Sequence, residues 1–182
     1  MTLKEVASYR IGLTYKPTDV ADEGIVVLRS SNIQENELDF NDVVRVKVKV
    51  DKKKIVNDGD ILMCARNGSA RLVGKVAKIK NLDEEMAFGA FMTIISSKYN
   101  DFLFYFFLSD YFRSQLVSSQ TATVNQITTK MLDEIKLNVP TLEQQSEFAS
   151  KIQAIESQKE SITRSIAETQ KLFDYTMDKY FG

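Results

Sequence analysis

The sequence has no histidine and only one cysteine, Cys64, among its 182 residues. The absence of histidine excludes Ser–His–Asp and Cys–His catalysis, the HExxH zinc motif and any histidine general base. A lone cysteine without histidine also leaves a structural zinc site without its usual ligands. Neither a GxxxxGK[S/T] loop nor a GxGxxG loop is present to hold phosphate groups. We therefore expect no metal, no cofactor and no catalytic residue of these classes.

Long apolar runs are missing as well. The longest, Phe102 to Leu108, is far shorter than the roughly 20 residues that a membrane helix needs. One cysteine cannot form an internal disulfide, and no signal-peptide pattern opens the sequence. We therefore expect a cytoplasmic protein with no membrane partner.

The net charge of −1 argues against a simple polyanion binder, but the charge is unevenly distributed. Residues 45–80 carry eleven basic side chains against three acidic ones. Within this stretch, valine alternates with Arg45, Lys47 and Lys49 from Val44 to Val50, which is typical of a half-buried strand with a basic outer face. Such a face could contact phosphate groups. A charge run alone more often marks an ordinary solvated surface.

The chain divides into two parts by pattern. Residues 1–140 predict a mixed, strand-rich domain of the α+β class, and residues 141–182 predict one long helix. An aromatic stripe at helical spacing predicts a single amphipathic helix over Asp101 to Val117, with its aromatic residues in the core. A short helix or turn is expected at Met131 to Ile135. The predicted strands are Ile25–Arg29, Val44–Val50, Ile61–Ala65, Leu72–Ile79, Ala90–Ile95 and Lys136–Val139.

The C-terminal helix has a narrow apolar stripe at steps of four and three residues, as in a coiled coil. Its sequence contains no proline and no interior glycine, and Thr141 with Gln144 predicts a capping box at its start. A helix of about 58 Å with one apolar stripe needs a second helix to bury it, and no other segment has matching length. The partner helix is therefore expected on another polypeptide or on a missing half of this one. The apolar stripe positions are Phe148, Ile152, Ile155, Ile162, Ile166, Phe173 and Tyr180.

Polar residues suited to reading base edges occur in three clusters. Arginine pairs with guanine, asparagine and glutamine pair with adenine, and serine or threonine pairs with either. Gly68 would allow a close approach to DNA through a positive φ angle. Each cluster also has an ordinary structural explanation: a strand-end cap, an Asn-Gly turn, or a cap for the helix expected near Thr128. With the basic strand, the candidate DNA-binding residues are Arg29, Ser31, Asn32, Lys47, Lys49, Arg66, Asn67, Gly68, Ser69, Arg71, Thr123, Asn125 and Gln126.

Several segments together resemble one half of a type I restriction–modification specificity subunit. Residues 10–17 are similar to the entry of that family's target recognition domain, and residues 25–33 to its first strand and turn. Residues 58–62 and 66–69 resemble its next element. Residues 124–127 and 132–145 resemble its most recognisable stretch, a strand ending in proline before Leu-Glu-Gln opens a long helix. Residues 178–182 resemble its C-terminus.

The resemblance implies sequence-specific recognition of one half of a bipartite double-stranded DNA site. Methylation and cleavage would then belong to partner modification and restriction subunits. The family usually has two recognition domains and two antiparallel helices, whereas this sequence has one of each. We therefore expect a self-standing half that forms a homodimer through the C-terminal helix.

Two other functions remain open from the sequence alone. A coiled-coil adaptor that binds only proteins would explain the helix and the near-neutral charge. A metal-dependent nuclease could use Glu134 and Lys136, which match a bare E-x-K pattern, but that pattern arises by chance in most chains of this charge content.

Overall fold

The structure, a computed structural model, describes residues 1–119 and 125–182. They divide into two units, Met1–Val139 and Pro140–Gly182. The first unit combines short strands with three helices, and the second is one long helix. This arrangement confirms the predicted α+β class.

Two four-stranded sheets and one hairpin make up the strands of the first unit. The first sheet has the order β1-β10-β7-β8 and is antiparallel throughout. The second has the order β2-β6-β3-β9, with β3 and β9 parallel, and β4 pairs with β5 as the hairpin. The strands are β1 Ser8–Ile11, β2 Val20–Ala21, β3 Ile25–Leu28, β4 Ile33–Gln34, β5 Glu37–Leu38, β6 Val44–Val46, β7 Ile61–Cys64, β8 Val76–Lys78, β9 Met86–Phe88 and β10 Met92–Ser96.

The first sheet lies in the middle of the unit, which explains the unbroken apolar run of β7. All four β7 residues are fully buried. Ile61 and Met63 pack among the aromatic residues of the helices, whereas Leu62 and Cys64 pack toward the second sheet. A strand covered on both faces needs apolar residues at every position rather than at alternate ones. Burial also raises the pKa of the Cys64 thiol.

The aromatic segment forms two helices, α1 Asn100–Leu108 and α2 Asp110–Ser119, so the prediction of one continuous helix was wrong. Ser109 between them is extended, and its hydroxyl donates to the Phe106 carbonyl and accepts from the Phe112 amide. The side chain thus ends one helix and begins the next. Because of the break, Tyr111 does not lie in the core as predicted, and its side chain is 58% exposed. The third helix, α3, spans Thr129–Glu134.

Three predicted strands were too long or absent. The Val44–Val50 pattern forms a strand only to Val46, although the later valines still pack against the second sheet. The strand predicted from Leu72 begins at Val76, since Gly74 has a φ of 85° that an extended strand does not adopt. The predicted strand at Lys136–Val139 contributes only one isolated bridge, between Lys136 and Thr2.

The second unit is α4, Leu142–Phe181. The predicted capping box is confirmed: the Thr141 hydroxyl accepts from the Gln144 amide, and the Gln144 side chain accepts from the Thr141 amide. Forty residues give a helix about 60 Å long, at roughly 1.5 Å per residue. Ile155, Ile162 and other stripe residues are half or more exposed. None of the described helices has both the length and the apolar content to cross a bilayer.

A buried ion pair joins three strands of the first unit. Arg10 on β1 contacts Asp60, which directly precedes β7 and whose side chain is 7% exposed. The other Asp60 carboxylate oxygen accepts from the hydroxyl of Ser96, the last residue of β10, at 2.5 Å. Arg10 also donates to the carbonyl of Ile55 at 2.6 Å. These partners satisfy the buried carboxylate from several sides and so offset the cost of its burial.

We predict that Asp60→Ala lowers the free energy of unfolding by about 3 kcal/mol. This is the lower end of the range for breaking a buried pair, since the Arg10 side chain keeps 23% exposure. The exposed Asp58 of the same turn is a matched control, and Asp58→Ala should change stability by less than about 0.5 kcal/mol. Urea unfolding at one fixed protein concentration measures both. Equal losses for the two variants would contradict the role given to Asp60.

Candidate nucleic-acid interface

The structure brings together the first two polar clusters and the two described residues of the third, Asn125 and Gln126. The first follows the end of β3, and the second follows the end of β7. The Asn67 side chain donates to the Ser30 hydroxyl at 2.9 Å and so joins these two. The third cluster joins the second through the bridge between Gln126 and Arg66 and through the Asn125 side chain, which donates to the Gly68 carbonyl at 2.9 Å. The described residues of the three clusters therefore form one continuous surface beyond the ends of β3 and β7.

A fourth segment, Gly89 to Met92, completes this surface and was missed by the sequence analysis. The carbonyl of Phe91 accepts from the amides of Ala65 and Arg66, each at 3.0 Å. Its ring is 59% exposed, and the guanidinium of Arg66 lies 5.4 Å from the ring centroid. The available signal was the sequence Gly-Ala-Phe between two apolar strands, which we assigned to the start of β10. The strand begins at Met92 instead, so Phe91 lies on a turn.

A groove of about 490 Å³ runs beside this turn. Its walls include the Arg29 side chain, which pairs with the Asp42 carboxylate at 2.9 Å. Gly12 permits the close packing of chain segments near the groove, because a Cβ there would lie 2.1 Å from the Gly89 carbonyl oxygen. The groove is lined by Leu13, Thr14, Tyr15, Arg29, Ser30, Ser31, Asp42, Gly89, Ala90, Phe91 and Met92.

Two polar atoms of the groove walls are buried and have no hydrogen-bond partner within the described part of the chain. They are the Nε of Arg29 and the Oγ of Ser31. Buried polar groups in proteins are normally satisfied, so an exception at a groove marks hydrogen-bonding capacity open to a ligand or to water.

Asn32 was expected to read a base, but its side chain is fully buried. Its amide nitrogen donates to the carbonyls of Asp39 and Asp42, each at 2.9 Å, and its oxygen accepts from the Arg29 amide. A buried amide with both ends occupied cannot reach a base edge. Asn32 is therefore left out of the proposed contacts, and its role is to hold the loop that carries Asp42.

Gly68 does not have the positive φ angle that we expected, since only Gly24, Gly59 and Gly74 among the described glycines do. A Cβ at Gly68 would meet open space. The second cluster is shaped instead by Asn67, whose oxygen accepts from the Ser69 amide at 2.9 Å. This is the local turn that asparagine commonly forms with the backbone two residues ahead.

The alternative that Asn125 or Gln126 caps the short helix is also wrong. The cap of α3 is Thr128, whose hydroxyl accepts from the Met131 amide at 3.2 Å. Asn125 is exposed, and its side chain donates a hydrogen bond to the Gly68 carbonyl, as described above. Thr123 lies outside the described residues.

The basic strand does not adjoin the polar clusters in the way we expected. Strands β3 and β6 are antiparallel, with Val27 opposite Val44 and Ile25 opposite Val46. Arg29 therefore lies past one end of this strand pair, whereas Lys47 and Lys49 follow the other end. Both lysines are exposed, and three residues of strand place Lys47 about 10 Å from the Val44 end.

Much of the basic excess in residues 45–80 is balanced by contacts elsewhere in the first unit. Arg45 forms a two-pronged ion pair with Glu84, and this pair lowers the pKa of the Glu84 carboxyl. Lys78 and Lys80 pair with Asp101 and Glu37. Residues 45–80, with eleven basic and three acidic side chains, thus do not form a single stripe that faces phosphate groups. At the interface itself, Arg66 and Arg71 are exposed.

The interface offers hydrogen-bond donors and acceptors rather than reactive groups. Arg66, Ser69 and Arg71 present exposed donors on the segment that follows β7, and Gln126 adds a half-exposed amide. Over residues 1–119 and 125–182, no three histidine, cysteine, aspartate or glutamate side chains cluster to hold a metal ion. Such an arrangement can recognise a polar surface such as a base edge.

Comparison with known proteins yields one family match and several relatives. A sequence profile described as the type I restriction modification DNA specificity domain matches residues 1–171. The type I restriction enzyme EcoKI specificity subunit of Escherichia coli is 30% identical over 159 residues, covering 82% of this chain and 34% of that protein. The chain therefore spans about a third of the length of this curated relative.

Two solved structures show the same fold. The HsdS subunit from Thermoanaerobacter tengcongensis matches with a TM-score of 0.65 and 18% identity, covering 100% of this chain and 44% of that one. A chain from a structure on complex assembly and conformational transition of the type I R-M system matches with a TM-score of 0.69 and 19% identity, covering 97% of this chain and 42% of that one. At these identities the likeness concerns the fold.

We predict that Asn32→Ala destabilises the first unit by about 2–4 kcal/mol, because it leaves two carbonyls and one amide without their partner. Asn41, exposed on the same loop, serves as the control, and Asn41→Ala should cost less than about 0.5 kcal/mol. Thermal unfolding measures the difference. A fully stable Asn32→Ala protein would show that this amide does not hold the loop.

Proposed function

The chain belongs to the type I restriction modification DNA specificity domain family, and from that premise we propose that it recognises one half of a bipartite double-stranded DNA site as a specificity component. The observation that carries this proposal is the meeting of three polar clusters on one surface of the first unit. Sequence reading requires several donors and acceptors held in fixed relative positions. Hydrogen bonds among the turns supply that fixed arrangement.

Arg66 is the central base-reading residue of the proposal. It is exposed and has no ion pair among the described residues, so its guanidinium is free to donate to guanine O6 and N7. The contact with Phe91 and the backbone hydrogen bond at its own amide hold the side chain in a limited range of directions. We further assign base or sugar contacts to Arg29, Ser31, Gly68, Ser69, Arg71, Thr123, Asn125 and Gln126. Asn67 holds the turn instead, since both ends of its amide have partners within the protein.

Lys47 and Lys49 contact the phosphate backbone in this proposal, not the bases. They are exposed and lie past the far end of the strand pair from Arg29. A lysine ammonium is a compact charge on a flexible stem, which suits phosphate contact but gives little base discrimination.

The chain is proposed to act without catalysing a reaction. Methylation and cleavage fall to partner modification and restriction subunits, with which this chain assembles on DNA in the cytoplasm. The family membership supports this division.

The long helix α4 is proposed to join two copies of the chain. Its stripe exposes Ile155, Ile162 and Ile166 by 49%, 59% and 65%. Burying each such side chain is worth about 1.5–3 kcal/mol. Two antiparallel copies would bury both stripes and present two recognition units, one for each half of a bipartite site.

We predict that Arg66→Ala weakens binding to the cognate half-site by about 1–3 kcal/mol and binding to random duplex much less. Arg66→Lys keeps the charge but removes the planar fork, so it should lose most of the same discrimination while leaving the salt dependence unchanged. Lys47→Ala should instead weaken both kinds of DNA alike and reduce the salt slope.

Fluorescence anisotropy at several salt concentrations measures these effects, on a site obtained by selection from a random duplex library. Equal losses for Arg66→Ala on cognate and random DNA would reassign this residue to a phosphate contact. A protein that binds no duplex in the presence or absence of its partner subunits would overturn the proposed function and favour a protein-binding adaptor.

We predict that Ile162→Asp converts the dimer to a monomer, because a carboxylate would be placed in the apolar seam. Ser157 lies on the opposite face of the same helix at 3.6 residues per turn, so Ser157→Asp adds the same charge outside the seam and should leave the dimer intact. Sedimentation analysis at tens of micromolar protein distinguishes the two. Wild-type protein that sediments as a monomer under these conditions would contradict pairing through α4.

A further inference from the structure

Phe91 is an exposed aromatic residue at the centre of the interface, and the polar contacts do not account for it. Its main chain is fixed, since its carbonyl accepts from the amides of Ala65 and Arg66. Its ring nonetheless remains 59% exposed. An exposed ring held beside the Arg66 guanidinium is placed to contact an apolar part of whatever Arg66 binds.

On a DNA base edge in the major groove, the apolar group is the 5-methyl of thymine. We propose that Phe91 is a specificity-determining residue that contacts a thymine methyl beside the base read by Arg66. This inference rests on the proposed function, since it names what one further residue of that site recognises.

The geometry around the ring favours a contact at the base edge over insertion between bases. A wedge that enters the stack needs both faces of its ring free to lie against base pairs. The Arg66 guanidinium lies over the Phe91 ring, 5.4 Å from the centroid, and so occupies one of the faces. The edge and the other face remain open, and they suit a methyl group.

The same contact fixes the spacing of the two positions that are read. Neighbouring base pairs are stacked about 3.4 Å apart along each strand. A guanidinium and a ring separated by 5.4 Å can therefore reach two adjacent base pairs. The guanine read by Arg66 and the thymine read by Phe91 should lie within one step of each other.

The test uses the full chain and the selected half-site, with each thymine replaced in turn by deoxyuridine, which lacks only the methyl group. For the wild type, one replacement should weaken binding about three- to fivefold, as expected for the loss of one buried methyl contact. Phe91→Ala should bind the thymine and deoxyuridine sites equally, whereas Phe91→Leu should retain part of the preference. The sensitive position should lie next to the one where Arg66→Ala relaxes the guanine preference.

The Phe91→Ala protein should fold normally, because the hydrogen bonds of this turn use the main chain. Tyr111 is an equally exposed aromatic residue outside the interface, at 58%, and Tyr111→Ala should keep the thymine preference. Wild-type protein that binds its half-site specifically but ignores every deoxyuridine replacement would overturn the Phe91 assignment and leave the proposed function standing.

Two further results would also decide the matter. An increase in 2-aminopurine fluorescence at one base step on binding, abolished by Phe91→Ala, would show that the ring is a wedge in the stack and would overturn the methyl contact. A chain that prefers no DNA sequence would instead overturn the proposed function itself, which separates the two failures.

Discussion

The ion pair between Arg10 and Asp60 fixes the first sheet at one end, and the interface is built at the other. Asp60 precedes β7, and the Ser96 that bonds to it ends β10, so both belong to the same end of two paired strands. At the opposite end, Cys64 is paired with Met92. The turn of Arg66 and the turn of Phe91 extend directly from these two residues. Strands of four or five residues are about 13–17 Å long. Because they are this short, the register fixed at the ion-pair end also fixes the relative position of the two turns at the interface end.

This dependence explains why short strands suffice to position a recognition surface. A shift of one residue between β7 and β10 would move the side chains of the shifted strand to the opposite face of the sheet, where they do not fit the other core cluster, and would misalign the two turns. Burial on both faces of β7 makes such a shift costly, and the satisfied carboxylate of Asp60 specifies the register further. The interface turns are therefore held by the sheet, and their own hydrogen bonds refine the arrangement.

Among the polar residues of the interface, some hold the turns together and others are free to bind. Asn32 and Asn67 use their amides on backbone and side-chain partners within the protein. Arg66, Ser69 and Arg71 are exposed. An asparagine can serve equally well in either role, because its paired donor and acceptor match a peptide group as readily as an adenine. In the proposed function, such holding residues matter as much as the exposed ones, since free turns would have to be ordered on binding at a cost in entropy.

Strong local patterns in the sequence were sufficient for the long helix and its capping box, for the buried strands β3 and β7, and for the α+β class. The apolar stripe of α4 and the unbroken apolar run of β7 are both patterns of residues that are close together in the sequence. The three polar clusters could also be found, because their residue types are suited to base edges whatever their position. The prediction of a single helix at Asp101–Val117 was wrong because of one residue. The Ser109 side chain forms hydrogen bonds with the backbone on both sides and so interrupts the helix.

Tertiary structure alone decided which polar residues lie together, which are buried and which cations remain free. The sequence could not predict the contact between Asn67 and Ser30, the burial of Asn32 or the distance of Lys47 from the clusters. It could not reveal Phe91 either, because an aromatic residue between two apolar strands has the same pattern whether it is buried or exposed. Each of these depends on strand pairing between residues far apart in the chain, and pairing of that kind is decided by the packing of the whole unit rather than by any local sequence.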